Sequence, residues 1–452
     1  MVDITSLRER ISGPVLTAAD DGYDAEVASW NRAVHHRPDV AVGVTSSADV
    51  VAAIDFARDL GLPVSVQSTG HGAEIPVTSG VLLTTRRLTS LDIYPEDRLA
   101  VVGAGVTWER VIHDAASHSL APIAGSSPTV GAVGLLLGGG LGPLARSHGF
   151  SSDYLVSLEV VTASGDIITA SETEYPELFW ALRGGKTGLG IVVSVQLRLV
   201  DLSTLYAGSL LFEEEHIEQV LTVWNSYVSS APDDVTTSVA IVRYPDFPFI
   251  PEPLRGRTLL SVRFAYPGDA ITGEALARPL RRAAPIYTDA LGTMPTTLMP
   301  SIHSDPTEPI PAWTIGRMVD SLDSQFLTTL LAHVGAGRRT PFLAAEIRHI
   351  GAATSRDVAV GSAVGGRDSN FLLNLVGAPD PALFDAVLPA ASHAILTDLG
   401  PWISEVTNVN FVGYVHPSGP YVLSWSTEIH TMLERVRRSY DPESLLTPGV
   451  HA

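Results

Sequence analysis

Three glycine-rich turns fall within one short stretch of the chain: Gln67-Ser68-Thr69-Gly70-His71-Gly72, Gly125-Ser126-Ser127-Pro128-Thr129-Val130-Gly131 and Gly138-Gly139-Gly140-Leu141-Gly142. Segments of this kind are not the interiors of helices or strands, because glycine weakens both and lets the backbone close tightly. Successive N–H groups in such a turn form a concavity that suits an anion such as phosphate. A single glycine turn is most often only a turn. Three so close together, with one histidine in the first and hydroxyls in the second, point to a large phosphate-bearing cofactor. The third, bare of side chains, permits close approach of a flat ring or phosphate. The fold must therefore bring three loops to one place.

The surrounding sequence shows how. Val40-Ala41-Val42-Gly43-Val44 reads as a buried strand, and Ser46 or Ser47 caps a helix whose apolar positions Val50, Ile54, Ala57 and Leu60 recur at helical spacing. Gly61 and Pro63 stop that helix, and the chain resumes as strand through Val66, directly before the first turn. Further strands are expected at 81–85, 99–102 and 191–199, and helices at 108–117 and 177–182. After about residue 201 the texture changes. Alternating segments at 235–244, 258–266, 342–350 and 369–376 predict an antiparallel sheet with one covered face. Helices at 215–228 and 320–333 would cover it, with Pro-rich loops at 245–253 and 300–311 and a last helix at 425–439.

Charge and composition exclude several classes. The chain has 29 Lys+Arg against 49 Asp+Glu, a formal net charge of −20, which argues against nucleic acid or an anionic membrane surface as partner. Lys186 is its only lysine. With no cysteine there is no disulfide, thiolate nucleophile, Cys-ligated zinc or iron–sulfur cluster. The N-terminus shows no signal-peptide pattern, and the longest uncharged apolar run, Val130 to Ala145, is too short and too glycine-rich for a membrane span, so a cytoplasmic location is expected.

Familiar motifs fail on inspection. Gly103-Ala104-Gly105 follows a strand, but Trp108 stands where a dinucleotide fingerprint needs its third glycine. Gly185-Lys186-Thr187 has the ending of a P-loop, but Trp180 occupies the position of the required first glycine.

Taken together, Arg37-Pro38, Gly70-His71-Gly72, Ser127-Pro128-Thr129-Val130-Gly131, Gly138-Gly139-Gly140, Leu178-Phe179-Trp180-Ala181-Leu182-Arg183-Gly184-Gly185 and Tyr440-Asp441-Pro442-Glu443-Ser444-Leu445-Leu446 make the chain resemble the FAD-linked oxidases of the vanillyl-alcohol-oxidase superfamily, in its berberine-bridge-enzyme-like branch. The resemblance implies an α+β fold: a two-part, PCMH-type FAD-binding domain (residues 1–201 and 396–452) around a substrate domain (202–395) with an antiparallel sheet covered by helices. It implies FAD bound by Ser68, Thr69, Gly70, His71, Gly72, Ser126, Ser127, Thr129, Val130, Gly131, Gly138, Gly139, Gly140, Gly142, Gly190, Ile191, Val192 and Asn410. His71 would be joined covalently to the flavin 8α-carbon. Many relatives add a second tether from a cysteine to flavin C6; Ser127 stands at the matching position, so one tether is expected.

In the substrate half, Glu346 and Arg348 are two apart on a predicted strand and share a face, a candidate base and anion clamp. An ordinary ion pair would look the same. His349 points the other way and reads as structural, as does Arg367. By resemblance, a tyrosine base often stands where this chain has Asn408, and a second tyrosine where it has Leu141. Candidate catalytic residues are thus Glu346, Arg348, Asn408 and Tyr414, with Tyr244, His416, Tyr421 and Trp425 as further substitutes. The expected function is an oxidase that transfers hydride from a mid-sized, natural-product-like substrate to flavin N5 and electrons to O2. A redox-neutral cyclase or isomerase on the same scaffold, a carbohydrate or alcohol oxidase, and ligand binding without turnover are the alternatives.

Overall fold

The computed structural model describes residues 3–248, 250–413 and 421–446. Its first part holds two main sheets and a two-stranded pairing of Leu120–Ala121 with Val200–Asp201. Strand Val40–Gly43 is followed by helix Ser47–Leu60, whose N-cap Ser46 accepts the amide of Asp49 and whose end is turned by Gly61 in the left-handed region. The strand that resumes at Val64–Gln67 does not lie beside Val40–Gly43. Both flank Val81–Thr84 in parallel, and Val15–Leu16 completes the sheet on the outer edge. The βαβ unit thus has a third strand inserted in its middle, which the local pattern did not show. The second sheet is antiparallel, in the order Leu91–Tyr94, Leu99–Gly103, Ile191–Arg198, Leu155–Val161, Ile167–Ser171.

The C-terminal segment is stitched back onto this part. The amide of Val64 donates to the carbonyl of Leu445 at 2.8 Å, and the Asp441 carboxylate accepts the amides of Leu445 and Leu446 at 2.8 and 2.7 Å. Val409, Trp425, Leu433, Val436 and Leu446 accordingly share one hydrophobic core with Val42, Ile54, Leu83, Trp108 and Leu178.

A second core draws on residues from Tyr206 to Leu399. It lies on one face of an antiparallel sheet ordered Thr204–Glu213, Thr258–Tyr266, Thr236–Arg243, Phe342–His349, Phe371–Gly377, Thr314–Val319, with short strands at the Thr204 edge. Alternation decides the faces: Val239, Ile241, Leu260, Val262, Ala345, Ile347, Leu373 and Leu375 enter this core beside helices Ile217–Val228, Ser324–Val334 and Val387–Asp398. Ser238, Ala240, Ser261, Arg263, Glu346 and Arg348 occupy the opposite face. Among the described residues, no helix is long and apolar enough to cross a membrane.

Candidate active site

The first two glycine turns face their carbonyls inward. In the second, the carbonyls of Val130 and Pro128 accept the amides of Trp108 and Glu109, the opening N–H groups of helix Trp108–Ala116. In the first, the carbonyls of Thr69 and Gly70 accept the amides of Trp30 and Asn31. This leaves the N–H groups of Ser68, Thr69, Gly70, His71 and Gly72, and those of Ser126, Ser127, Thr129 and Val130, with no protein acceptor among the described residues. The turns touch: the Gly131 amide donates to Thr69 Oγ1 at 3.4 Å. Two adjoining rows of N–H donors, all but the exposed Gly72 half-buried, are what a diphosphate requires. Among the described residues, Ser127 Oγ is likewise buried with no hydrogen-bond partner.

Gly70 sits at φ +75, and a Cβ there would lie 2.8 Å from the Ser29 backbone. The glycine thus holds the histidine turn flush against the 29–31 segment. His71 stacks on Trp30 with ring centroids 4.2 Å apart and planes 18° off parallel. Its Nδ1 lies 3.0 Å from Thr69 Oγ1 and its Nε2 3.1 Å from Thr129 Oγ1. Burial lowers its pKa to about 4, so the imidazole is neutral at physiological pH.

The third turn packs by close approach. A Cβ on Gly142 would fall 1.8 Å from the Ala124 carbonyl oxygen. Asn408, fully buried, donates to the carbonyls of Gly138 and Gly365 at 3.1 and 3.4 Å and accepts the Asn410 amide at 3.0 Å. Asn410 Nδ2 donates to the Leu135 carbonyl at 2.9 Å, while its Oδ1 accepts Lys186 Nζ at 2.6 Å. Lys186 also donates to the Gly134 carbonyl at 3.1 Å. Burial lowers the Lys186 pKa to about 8, and burial raises the Glu74 carboxyl to about 7, each charge favouring the other. Gly190 opens strand Ile191–Arg198, where Ile191 and Val192 are buried in the first core.

Residues 38–171 match the family described as FAD binding domain. That stretch of the chain carries an FAD-binding domain. It is 37% identical over 194 residues to (R)-6-hydroxynicotine oxidase of Paenarthrobacter nicotinovorans, 42% of each chain. It is 28% identical over 239 residues to the uncharacterized FAD-linked oxidoreductase YgaK of Bacillus subtilis, covering 51% of this chain and 53% of that one. The chain thus matches about half the length of these curated relatives or less. In structure it is similar to 6-hydroxy-D-nicotine oxidase of Arthrobacter nicotinovorans (TM-score 0.83, 23% identity, 96% of each chain) and to BBE-like 1 of Physcomitrella patens (TM-score 0.85, 16% identity, 99% and 98%). A glucooligosaccharide oxidase of Acremonium strictum, described with a 6-S-cysteinyl, 8α-N1-histidyl FAD, also shares the fold (TM-score 0.81, 17% identity, 98% of each chain). The donor set described above fits the FAD that such a domain implies: N–H rows for the diphosphate and a neutral imidazole beside them.

Across from these turns, on the open face of the large sheet, Glu346 is 4% exposed. Its carboxylate is bonded by Arg263 Nη1 and by Arg348 Nε, the latter at 2.9 Å. Ser238 Oγ lies 3.4 Å away and His303 Nε2 3.6 Å. Burial alone would raise the Glu346 pKa; the charges of Arg348 and Arg263 outweigh it, and the carboxyl sits below its ordinary value. His303 is driven well below its ordinary value by burial and then by the same two arginines, so it is neutral. His349 faces away, accepting Arg146 Nη1 at 3.0 Å and stacking on Phe371. Arg367 is bound by Asp153.

Tyr414 and His416 lie outside the described residues, as does the Tyr421 side chain. Leu141 is 2% exposed in a small cluster with Phe150 and Met318. Sequence reading missed Trp30, Arg263 and His303, and dismissed Lys186 with the failed P-loop. The one available signal was that Lys186 is the chain's sole lysine.

Proposed function

We propose that this protein is a flavoprotein oxidase whose FAD is tethered through His71. The observation that carries the reading is the neutral His71 ring, clamped between Trp30 and the hydroxyls of Thr69 and Thr129, beside two rows of unpaired N–H groups. A neutral imidazole has the lone pair that bonding to the flavin 8α-carbon demands; an imidazolium does not. Bound FAD would supply the hydride acceptor and the reaction with O2. The chain would supply the rest: the turns at 68–72 and 125–131 bind the diphosphate, and the Asn408–Asn410–Lys186 network fixes the 134–140 backbone. Ser127, where the glucooligosaccharide oxidase branch has its cysteinyl tether by resemblance, leaves histidine as the only link.

Glu346 is better placed to hold Arg263 and Arg348 than to take a proton near pH 7, because its pKa lies on the low side. Asn408 is a positioning residue, its polar atoms all spent on backbone. The substrate reading is a mid-sized organic molecule, as the name of the relative (R)-6-hydroxynicotine oxidase suggests. Purified protein tests the proposal: it should be yellow, keep its colour in the acid precipitate, bleach with substrate in the absence of oxygen and regain colour in air with release of hydrogen peroxide. One observation favours a second reading, a redox-neutral cyclase or isomerase: buried Leu141 and fully engaged Asn408 stand where relatives carry phenols. Product formation with unchanged flavin absorbance and no peroxide would establish it.

A further inference from the structure

The cluster around Glu346 is charged but not neutral. Arg263 and Arg348 each carry a positive charge, Glu346 a single negative one, and His303 none. Among the described residues, neither arginine has a second carboxylate within ion-pair distance. All four side chains are close to nine-tenths buried: 11% exposed for Arg263, 12% for Arg348, 5% for Glu346 and 6% for His303. One buried positive charge is therefore left over. Burying an unpaired charge is strongly unfavourable, and native sites answer it with a counter-ion.

The sheet shows that this is a built site. Arg263, Ser238 and Arg348 are aligned across three neighbouring strands, since Ser238 pairs with both arginines in register. Ala240 and Ser261 pair in the adjacent row, with Ala240 also opposite Glu346. These small side chains leave a trough in which Arg263 reaches across an intervening strand to Glu346. Arg348 is further held over the Phe411 ring at 5.3 Å. The polar capacity of the cluster is not used up. Among the described residues, Arg263 Nε and His303 Nδ1 are both buried with no hydrogen-bond partner. Arg263, His303 and Arg348 line a narrow crevice whose other wall is Leu141, Gly142, Pro143 and Ala145, the continuation of the third glycine turn. The crevice thus opens between the cofactor turns and the sheet, with room for a small polar group.

We propose that this crevice binds a carboxylate of the substrate, so that the molecules this protein acts on are organic acids. Arg263 and Arg348 supply the charge, the unpaired Arg263 Nε and His303 Nδ1 supply directional hydrogen bonds, and Glu346 holds the two guanidinium groups in place. Guanidinium suits this task because its planar donors match a carboxylate. The inference rests on the reading of the open sheet face as the substrate side.

Calorimetric titration of the purified protein with benzoate and with its neutral counterpart benzamide tests it, independently of flavin colour. Benzoate should bind at least tenfold more tightly. Arg348→Gln and Arg263→Gln should remove that preference. Glu346→Gln, which keeps a hydrogen-bonding oxygen beside both guanidinium groups but removes the negative charge, should strengthen benzoate binding, the opposite of what a purely structural ion pair predicts. Equal binding of benzoate and benzamide by the wild type overturns the proposal, even where the arginine variants fail to fold. So does a preference that survives in folded Arg348→Gln. A colourless protein that still prefers benzoate would refute the flavin reading and leave this one standing; a yellow protein without the preference would do the reverse.

Discussion

Gly142 gives the sharpest test of how the cofactor turns are held together. An added Cβ would lie 1.8 Å from the Ala124 carbonyl oxygen, 2.9 Å from its carbonyl carbon and 3.1 Å from the Gly125 Cα. All three are backbone atoms, so no side chain can swing aside. Ordinary non-bonded contacts fall at ~3.5–4 Å, so the third turn must move away from the second by about 1.7 Å. Overpacking that side chains relieve costs about 1–3 kcal/mol, and a backbone clash belongs at or beyond the upper end. With about 3 kcal/mol lost, and ~2 °C per kcal/mol for a domain this large, Gly142→Ala should lower Tm by about 6 °C. The displacement opens the 125–131 turn, so the variant should also retain less flavin. The assay is a thermal melt alongside the ratio of visible flavin absorbance to protein. Gly400→Ala is the control: its Cβ meets nothing within 4 Å, and a change within about 0.5 kcal/mol is expected. Wild-type Tm and full flavin content in Gly142→Ala would show that the turns do not depend on this contact.

Three further expectations are as direct. His71→Ala should give protein whose acid precipitate is colourless, with any remaining flavin released into the supernatant; colour in the pellet would place the tether elsewhere. Lys186→Met strands the Asn410 Oδ1 and the Gly134 carbonyl, a loss of about 1–3 kcal/mol per buried acceptor left unpaired, and the ratio of visible flavin absorbance to protein in the purified variant should fall. Burial lowers the His349 pKa to about 3, so below pH 6.5 the unfolded chain takes up a proton that the folded one refuses. Stability must then fall as pH drops from about 6.5 toward 3. Removing that proton in His349→Gln should flatten the decline by up to about 1.4 kcal/mol per pH unit, read from denaturant midpoints between pH 6.5 and 4.5.

Residues whose roles depend on local chain chemistry were legible in the sequence. Ser46 and Gly61 bound a helix by caps that act within four residues, and the alternation of Val239, Ile241, Val262 and Ile347 needs only the period of a strand to assign a face. The glycine turns were legible because bare backbone at three nearby places has few uses other than close approach. What could not be read is set by partners far along the chain. The insertion of Val81–Thr84 between Val40–Gly43 and Val64–Gln67 is a pairing choice, invisible in any one strand. Trp30 finds His71 across a gap that has no periodicity. The Glu346 cluster shows the limit most clearly. Glu346 and Arg348 two positions apart look like a neutral pair and suggest acid–base chemistry; Arg263, 83 residues away in sequence, and His303 from a Pro-rich loop turn the same pair into a positively charged cluster with a lowered carboxyl pKa. The sign of a site is a sum over everything packed against it, so the chemistry inferred from adjacent residues changes when a distant strand contributes one more charge.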